Sequence, residues 1–490
     1  MLAVSHRRQW LWLLSLAVAT LCLAGDATAR SVTPRRPGAA ATVRARPDST
    51  SRAVGRLKDG KRAEVLDDVP RWWRVRLDTG TEGFVSKSVT QEVQDAAPAD
   101  AVQAHGAREP DAGPISALPP ERSPPPSPPT SGVVEKITVR TVSQVSDLAP
   151  ATAPQKGSFR VHLIDVATGL AVLVQGHDFN LLFDGGSNDD KATGTQNRLV
   201  AYLFAALGPS GASDCVPDSD GWQNTAHAKV RIDHIVLSHP HKDHNGLLPD
   251  VLRCYEVVNV WDSGAVNPTD VQRAFLQAVA DVSGVHYHTA AAIPTTHQIS
   301  FDGAKPVVFP TTVNWTTLSE GEQESLGDDA TFTVLHADGT PHPTDWNQNS
   351  LVLRVTLGQR SLLLMGDTEA GPRKLPTEAV GLAEKALLVH HRRELHADIL
   401  QVGHHGSLTS SRREFIEAVS PKWALVSSGH FPYNGRTLPD PEIIKELMDS
   451  GATVLRTDAH DGHCAVRDRI GEDEDKPAGG CDNFVLDISP

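Results

Sequence analysis

The sequence predicts a layered α/β domain in the C-terminal two thirds of the chain, preceded by a small all-β unit. In residues 157–490, apolar strand-like runs alternate with helix-like runs, and mixed elements of this kind pack as layers of helices on sheets. In residues 40–92, short β-like runs are separated by Gly, Asp or Pro. A Pro-rich stretch separates the two regions, and 490 residues exceed what one ordinary domain needs.

Residues 1–29 are typical of a secretory signal peptide. A basic start at His6-Arg7-Arg8 precedes an apolar run at 10–23 that is short for a membrane span, and Ala27-Thr28-Ala29 is a small-residue cleavage pattern. We therefore expect an exported protein, periplasmic or secreted, with no transmembrane span in the mature chain. An uncleaved membrane anchor is the alternative.

The first folded unit is expected at residues 40–92. Its predicted strands cover residues 41–44, 54–57, 63–66, 72–77 and 83–85. Trp72-Trp73-Arg74-Val75 and Gly83-Phe84-Val85 are among the motifs by which this stretch resembles the bacterial Src-homology-3-like domain, although Phe84 stands where that family often has Trp. The resemblance implies a small all-β barrel that contacts the cell wall or tethers the protein, and a simple spacer is the alternative.

Residues 93–155 are predicted to be a linker. Pro119-Pro120 and the Pro-rich run at 124–129 favour extended polyproline geometry and cannot build a core. A short strand at 133–142 is a weaker alternative, because Lys136-Ile137-Thr138-Val139 alternates in polarity.

Charge is distributed unevenly along the chain. The net charge is −14, yet Arg and Lys crowd residues 30–76, so the C-terminal domain is the acidic part. Tight non-specific binding to nucleic acid requires Lys and Arg that neutralise phosphates. This acidity argues mildly against a polynucleotide as the main substrate of the C-terminal domain, and contact with nucleic acid stays open.

Cleavage after Ala29 would leave four cysteines, an even number that favours disulfides in an exported chain. Three connectivities are possible, and proximity in sequence favours Cys215–Cys254 and Cys464–Cys481. The absence of CxxC spacing argues against a zinc–thiolate site.

The densest set of metal-ligand residues is His-Pro-His-Lys-Asp-His at positions 239–244, which follows the apolar run at 232–237. Imidazole and carboxylate are ligands for transition metals. His239 and His241 are two residues apart, so in extended backbone they point to the same side and can hold one ion. Asp243 and His244 follow the start of a turn and are predicted to hold a second ion.

Three further segments end apolar strands with candidate ligands. Asp184 in Phe183-Asp184-Gly185-Gly186 is expected to orient a ligating His. Asp367 in Met365-Gly366-Asp367 is expected to bridge the two ions, with Glu369 nearby. Of His404 and His405, we favour His404 as the ligand and His405 as the group that contacts substrate or leaving group. Each segment alone could be an ordinary turn.

The remaining predicted elements complete an alternating pattern. Strands are expected at 160–164, 171–174, 180–183, 232–238, 331–335, 350–356, 361–364, 399–402 and 423–426. Helices are expected at 197–207, 246–253, 269–282, 413–419 and 442–449.

These motifs, in this order, resemble the metallo-β-lactamase superfamily, and within it the branch that contains the extracytoplasmic domain of the DNA-uptake competence protein ComEC. The matching segments also include Val161-His162-Leu163-Ile164-Asp165-Val166, Asn349-Ser350-Leu351-Val352-Leu353-Arg354 and Thr457-Asp458, and the resemblance spans nearly all of residues 157–489. It implies an αββα sandwich, a hydrolase domain at 157–490, and two divalent ions, zinc or in some relatives manganese.

Three departures from that branch limit the comparison. Leu170 stands where relatives often carry a carboxylate, and Thr437-Leu438-Pro439 stands near a usual His-Pro pair. No third His for the first ion is identifiable among His286, His288, His297, His336 and His342.

The resemblance implies that hydroxide generated by the two ions attacks a phosphodiester or a related phosphate ester, in a small-molecule or polymeric substrate. The expected metal ligands are His239, His241, Asp243, His244, Asp367 and His404. The expected catalytic residues are Asp243, His405 and Asp184. Hydrolysis of an amide, lactone or β-lactam is the enzymatic alternative, and a non-catalytic envelope-binding protein that retains the fold is the other.

Overall fold

The protein is described by a computed structural model that covers residues 30–35, 40–46, 51–58, 60–69, 72–87, 89–93, 136–149, 151–190, 192, 197–215, 226–301, 303–430, 432–433, 435–460, 470 and 481–490. The chain divides into two compact units, residues 1–126 and 127–490. The predicted signal peptide lies outside the described residues.

The described residues of the N-terminal unit form one antiparallel sheet of seven strands. Its strands are β1 Ser31–Pro34, β2 Ala41–Arg44, β3 Ala53–Leu57, β4 Ala63–Val69, β5 Trp72–Arg76, β6 Glu82–Ser86 and β7 Thr90–Val93. They pair in the order β3-β2-β6-β5-β4-β1-β7. Alternate side chains point inward, so Val43, Val75 and Val85 form a small core with Trp73 and Leu57. The five predicted strands are present, and β1 and β7 were not predicted.

The C-terminal unit contains the remaining strands and all the described α-helices. Its strands are β8 Lys136–Val142, β9 Phe159–Leu163, β10 Val172–Gln175, β11 Asn180–Phe183, β12 Arg231–Leu237, β13 Glu256–Asp262, β14 His286–Thr289, β15 Gln298–Phe301, β16 Ala304–Val308, β17 Asn314–Thr317, β18 Gln323–Gly327, β19 Ala330–His336, β20 Val352–Leu357, β21 Arg360–Leu364, β22 Ile399–Gln401, β23 Trp423–Val426, β24 Thr453–Arg456 and β25 Asn483–Ser489. Its helices are α1 Arg198–Leu207, α2 Lys242–Asn245, α3 Leu248–Cys254, α4 Asp270–Asp281, α5 Leu382–His390, α6 Arg413–Val419 and α7 Pro441–Asp449.

Two large sheets organise this unit. One has nine strands in the order β17-β14-β13-β12-β11-β10-β9-β25-β8, and the other has seven in the order β18-β19-β20-β21-β22-β23-β24. The run from β11 to β17 is parallel in the first sheet, as is the run from β21 to β24 in the second. A separate hairpin joins β15 and β16.

The buried side chains separate into three layers. One cluster joins the inner faces of both sheets, with Val161 and Phe183 from the first sheet beside Phe332 and Leu353 from the second. A second cluster packs α1, α3 and α4 on the outer face of the nine-stranded sheet. A third packs α5, α6 and α7 on the outer face of the seven-stranded sheet. The layers are therefore helix, sheet, sheet, helix, and the predicted αββα sandwich is confirmed.

Local signals explain why the predicted helices begin where they do. The Asn197 side chain accepts a hydrogen bond from the Val200 backbone N at 2.8 Å, which satisfies a free N–H at the start of α1. Thr269 caps α4 in the same way through the Gln272 backbone N at 3.2 Å. Predicted and observed bounds agree within one or two residues for these helices.

The linker prediction needs a correction at its C-terminal end. Residues 136–142 form β8, which pairs along its whole length with β25 at the edge of the nine-stranded sheet. The alternating polarity of this segment correctly indicated a strand. Its partner strand lies more than 300 residues later in the chain, so no local pattern could predict the pairing. The Pro-rich part of the linker lies outside the described residues.

The predicted disulfide between Cys215 and Cys254 is confirmed, with Cα atoms 5.6 Å apart and a sequence separation of 39. It ties the chain beyond α1 to the end of α3. The predicted pairing of Cys464 with Cys481 stays a prediction, because Cys464 lies outside the described residues.

Replacing both Cys215 and Cys254 by Ala is expected to lower the free energy of unfolding of the C-terminal unit by about 4 kcal/mol, because the cross-link no longer restricts a loop of this length in the unfolded chain. Chemical denaturation of the mature protein, with and without the substitutions, measures the difference. Equal unfolding free energies would contradict a stabilising role.

None of the described helices is both long enough and apolar enough to cross a membrane.

Candidate metal centre

The predicted ligands converge at one edge of the sandwich because they all follow strands that run in parallel. Asp184 follows β11 and the His239–His244 segment follows β12, which pair in parallel in the first sheet. Asp367 follows β21, and His404 follows β22, its parallel partner in the second sheet. The carboxyl ends of parallel strands meet at one sheet edge, where ligand sites commonly form.

Asp184 is a buried carboxylate that orients His244 in this centre. Its backbone has a φ of 58°, and its side chain is fully buried. The two carboxylate oxygens accept hydrogen bonds from Ser238 N and Oγ at 2.7 and 2.6 Å, and Oδ2 lies 2.7 Å from His244 Nδ1. This contact directs His244 Nε2 away from Asp184 and into the centre, which is the geometry that a carboxylate imposes on a ligating imidazole.

The motif at 239–244 leaves β12 and turns into the short helix α2. His239 Nε2 and His241 Nδ1 lie 2.9 Å apart, close to the edge of about 3.3 Å expected for two nitrogens on one tetrahedral zinc. The backbone of the turn is held by Leu170 N, which donates to Asp243 O at 2.9 Å, and by Gly185 N, which donates to His244 O at 2.7 Å. The motif is therefore fixed by the segments after β9 and β11.

Asp367 lies at the middle of the centre. Its Oδ2 is 3.2 Å from His244 Nε2, 3.6 Å from His405 Nε2 and 3.8 Å from both His239 Nε2 and His404 Nε2. One carboxylate oxygen is thus surrounded by four imidazole nitrogens. This is where a ligand shared by two ions would have to lie.

His404 and His405 occupy unusual backbone positions. Their φ angles are 47° and 53°, a left-handed conformation that non-glycine residues adopt rarely and that is often found at functional sites. The turn brings both imidazoles close to Asp367, whose Oδ2 lies 3.8 Å from His404 Nε2 and 3.6 Å from His405 Nε2. The position of each ring is set by a different hydrogen-bond partner.

His405 is the buried member of this pair. Its Nδ1 donates to the Ser427 carbonyl at 2.8 Å, and its Nε2 lies 3.5 Å from Asp243 Oδ2. The side chain of His404 is 20% exposed, with Nδ1 2.8 Å from Glu369 Oε1 and 2.7 Å from Thr409 Oγ1. The geometry favours His405 over His404 as the ligand beside Asp243, although the choice of ligand stays a prediction.

Two overlapping groups of buried side chains have ligand atoms close enough to share an ion: His239, His244 and Asp367, and Asp243, His244 and His405. Within the described chain, His244 Nε2, His405 Nε2 and Asp367 Oδ1 are buried without a hydrogen bond. Buried polar atoms are almost always paired, so unpaired nitrogen and oxygen atoms within one cluster of side chains fit a cation-binding site. The donor set of imidazoles and carboxylates suits a divalent transition metal.

The electrostatics of these side chains agree with this fit. Burial lowers the pKa of His239 well below its usual value, and the nearby His244 and His241 lower it further, so the ring is neutral and its lone pair is available. Burial by itself raises the pKa of Asp367, but His244, His405 and His404 outweigh it and hold the pKa well below its usual range. Burial also lowers the pKa of His244, but Asp367 and Asp184 outweigh it and raise that pKa well above its usual value. The centre therefore combines a neutral imidazole at His239 with an ionised carboxylate at Asp367.

Tyr433 completes the centre and was not predicted from sequence. Its hydroxyl donates a hydrogen bond to Asp243 Oδ2 and accepts one from Asn188 Nδ2 at 3.0 Å. The ring lies nearly parallel to that of His405, with centroids 6.1 Å apart. A single Tyr in a loop 190 residues after the motif carries no periodic or spacing signal that would have identified it.

Gln401 is a second residue that sequence reasoning missed. Its Oε1 accepts from the backbone N atoms of Met365 and Gly366 at 2.7 and 2.8 Å, and its Nε2 donates to Val402 O at 2.8 Å. This buried amide joins the loops after β21 and β22. It therefore fixes Asp367 relative to the two adjacent histidines.

The five histidines considered for the first ion lie elsewhere. His288 stacks on Trp261 with ring centroids 3.6 Å apart, His336 pairs with Glu320, and His342 pairs with Asp338. In the described part of the chain, neither these three nor His286 and His297 join a potential metal group. A third imidazole for the first ion is therefore not supplied by these residues.

Two family models match the chain. The model described as the metallo-beta-lactamase superfamily matches residues 164–430, and the model described as a bacterial SH3 domain matches residues 39–91. The predicted resemblance to both families is confirmed.

Among curated proteins, the chain is 25% identical to competence protein ComA of Neisseria gonorrhoeae over 309 residues, which cover 63% of this chain and 32% of that protein. It is 34% identical to ComE operon protein 3 of Bacillus subtilis over 130 residues, which cover 26% of this chain and 15% of that protein. The chain thus spans about a third or less of the length of these relatives. Among solved structures, the metallo-beta-lactamase fold protein YhfI of Bacillus subtilis matches with 14% identity and a TM-score of 0.32, over 61% of this chain and 95% of that one.

Proposed function

The chain belongs to the metallo-beta-lactamase superfamily, and from that premise we propose that it is an exported hydrolase that uses two divalent metal ions to cleave a phosphodiester or a related phosphate ester. The observation that carries the proposal is Asp367, a buried carboxylate with four imidazole nitrogens within 3.8 Å of one oxygen. A carboxylate that two ions could share is compatible with two-metal hydrolysis.

The proposed ligand assignment differs in one respect from the sequence prediction. His239 and His241 would hold one ion, Asp243, His244 and His405 would hold the other, and Asp367 would contribute to both. His405 replaces His404 because its Nε2 is buried, unpaired among the described residues, and 3.5 Å from Asp243. Zinc suits these ligands, with manganese as the alternative.

Two bound cations would lower the pKa of a water molecule to near neutral and would offset negative charge on the phosphoryl group. The residues of the chain hold this arrangement in place. Asp184 keeps His244 in one orientation through the 2.7 Å contact to Nδ1. Tyr433 holds the Asp243 carboxylate through its hydroxyl. Asp243 is the carboxylate placed to orient the nucleophile.

His404 is placed to act on the leaving group. Its Nδ1 is held by Glu369, so the ring presents Nε2 towards the centre, 3.8 Å from Asp367 Oδ2. It is also the more exposed of the two adjacent histidines, which leaves room for substrate. A carboxylate-supported imidazole beside the reaction centre can donate a proton to a departing oxygen.

An anionic substrate is favoured by Lys242. This residue lies between two proposed ligands in sequence, is exposed, and donates to the Asn188 backbone carbonyl at 3.2 Å. A flexible ammonium at the mouth of the site can approach a phosphate as a point charge. We propose export and contact with the cell envelope on the basis of the N-terminal sequence and the bacterial SH3 domain.

Hydrolysis of bis(p-nitrophenyl) phosphate by mature protein reconstituted with zinc or manganese tests the proposal. We expect about two equivalents of metal per chain and turnover that a chelator abolishes. A chromogenic cephalosporin serves as the comparison substrate. Turnover of the cephalosporin without turnover of the phosphodiester would reject the proposed reaction. A protein that binds no metal would contradict the proposal that it is a metal-dependent enzyme.

The two adjacent histidines are expected to give different defects. His405→Ala should lower the metal content towards one equivalent, whereas His404→Ala should keep both ions and lower kcat by roughly 100-fold, because proton transfer contributes about that much. Elemental analysis and kcat measured on the same samples separate the two roles. Loss of metal in His404→Ala with full metal in His405→Ala would reverse the assignment.

Tyr433→Phe is expected to weaken metal binding or turnover by about 10- to 100-fold, the range found when a supporting partner of a ligand is removed. The free energy of unfolding should hardly change, because the ring is retained. Tyr202→Phe is the matched control, since its hydroxyl lies 3.0 Å from His162 Nδ1, outside the centre. Equal effects of both substitutions would show that the Tyr433 hydroxyl has no special role.

A further inference from the structure

We propose that one face of the N-terminal sheet binds a single strand of nucleic acid. This surface, called the basic face below, is formed by the outward side chains of β2, β3, β5 and β6 and is defined by Arg44, Arg56, Trp72, Arg74 and Phe84. The choice of nucleic acid rests on the proposed phosphodiester substrate. The geometry of the face is independent of the metal centre.

Strand register places these side chains next to one another. Phe84 pairs with Arg44 on one side and with Arg74 on the other, so one row across three strands reads Arg, Phe, Arg. With strands about 4.8 Å apart, this row is about 10 Å long. Trp72 lies two residues before Arg74 and points to the same side, because Trp73 and Val75 between and beyond them point into the core.

The two aromatic rings are accessible on this face. Trp72 and Phe84 are both half-buried, whereas the alternate residues Trp73, Val75 and Val85 are buried. An aromatic ring that the core does not need and that arginines flank is the usual platform on which an unpaired base stacks. A polyanion without bases could not stack on these rings.

Positive charge dominates the basic face and its surroundings. Arg56, Arg46, Arg52 and Lys58 are exposed on or next to β2 and β3. Among the described residues of this sheet, the nearby acids Glu64 and Glu82 form ion pairs with Arg76 at 3.1 and 2.8 Å, and Glu82 also pairs with Arg74 at 3.2 Å. Local carboxylates therefore neutralise only part of the positive charge.

The two regions of the chain differ in sign. Residues 30–93 contain 14 Arg and Lys against 8 Asp and Glu, whereas residues 131–490 contain 28 against 46. An acidic hydrolase domain repels a polyphosphate chain, and neutralisation of phosphates by Arg and Lys is the main source of affinity for nucleic acid. A separate basic module would hold a nucleic acid strand that the acidic hydrolase domain repels.

Fluorescence anisotropy of a labelled oligothymidylate with the full mature chain in EDTA tests this inference without catalysis. We expect salt-dependent binding, with Arg44→Gln and Arg74→Gln each reducing the slope of log affinity against log salt by about one. Phe84→Leu should keep the packing and weaken oligothymidylate binding roughly tenfold. Lys61→Gln removes one positive charge from the loop before β4 and is the matched control.

Inorganic polyphosphate, which has charge but no bases, is the second probe. Phe84→Leu should leave its binding unchanged. The inference would be overturned if Phe84→Leu weakened the binding of both probes equally. It would also be overturned if the protein bound polyphosphate or purified wall polymer but not oligothymidylate, or if it bound none of them. Oligothymidylate binding without hydrolysis of bis(p-nitrophenyl) phosphate would instead reject only the proposed function, and the reverse result would reject only the basic face.

Discussion

Asp367→Asn is expected to remove most bound metal and to lower hydrolysis of a phosphodiester by more than about 100-fold, since loss of a supporting partner alone already costs up to that much. The amide keeps the size of the side chain but removes the negative charge that four imidazoles surround. His239, His244, His404 and His405 would then face one another without their shared counter-charge. Metal content and kcat/KM of the purified variant measure both effects.

Asp338→Asn provides a matched control for this substitution. Asp338 also pairs with an imidazole, since its Oδ2 lies 2.7 Å from His342 Nε2, but this pair is outside the metal centre. The control should retain metal and activity. Full metal content in Asp367→Asn, together with unchanged hydrolysis, would show that no ion is held between the four imidazoles.

Gly186→Ala is expected to have the second large effect, on both stability and metal binding. An added Cβ at this position would lie 2.4 Å from Asp243 C, His244 N and Lys242 O, all of them backbone atoms of the metal motif. Backbone cannot rotate away as a flexible side chain can, so the motif or the turn after β11 must move. Overpacking of a buried site usually costs about 1–3 kcal/mol, and here the displaced segment carries proposed metal ligands.

Thermal unfolding and metal content of Gly186→Ala test this expectation, and Gly284→Ala is the control. Gly284 has a φ of 80° and no atom within 4 Å of the added Cβ, so that substitution introduces backbone strain without a collision. We expect it to keep full metal content. A Gly186→Ala variant as stable and as rich in metal as the control would contradict the close approach of the two loops.

Much of the fold followed from periodicity in the sequence. The strand at β11, the strand at β23 and the helix α6 were predicted with the bounds that the structure shows. Elements without a strong local pattern were missed, among them β13, β14, β17 and α5. Strands such as β14 and β17 are short and lie towards one edge of the nine-stranded sheet, so pairing stabilises them more than composition does.

The predicted site residues were likewise brought together, and the residues that support them were not foreseen. Asp184, the motif at 239–244, Asp367 and the His404-His405 pair share one centre because each ends a parallel strand. Gln401 and Tyr433 reach the same centre through hydrogen bonds. Those contacts depend on which loops become neighbours, and that is a property of the sheet order.

By itself, the sequence determined the chemical type of the site, because six consecutive residues supply three imidazoles and a carboxylate after an apolar strand. It also determined the layered architecture, because the apolar periodicity of each segment favours a strand or a helix locally. Only the tertiary structure showed that both His404 and His405 lie close to Asp367 and that His405 is the more buried of the two. Both residues have left-handed backbone angles, so their spacing in the sequence does not reveal where their rings lie. The Ser427 carbonyl holds the ring of His405, and the Glu369 carboxylate holds the ring of His404.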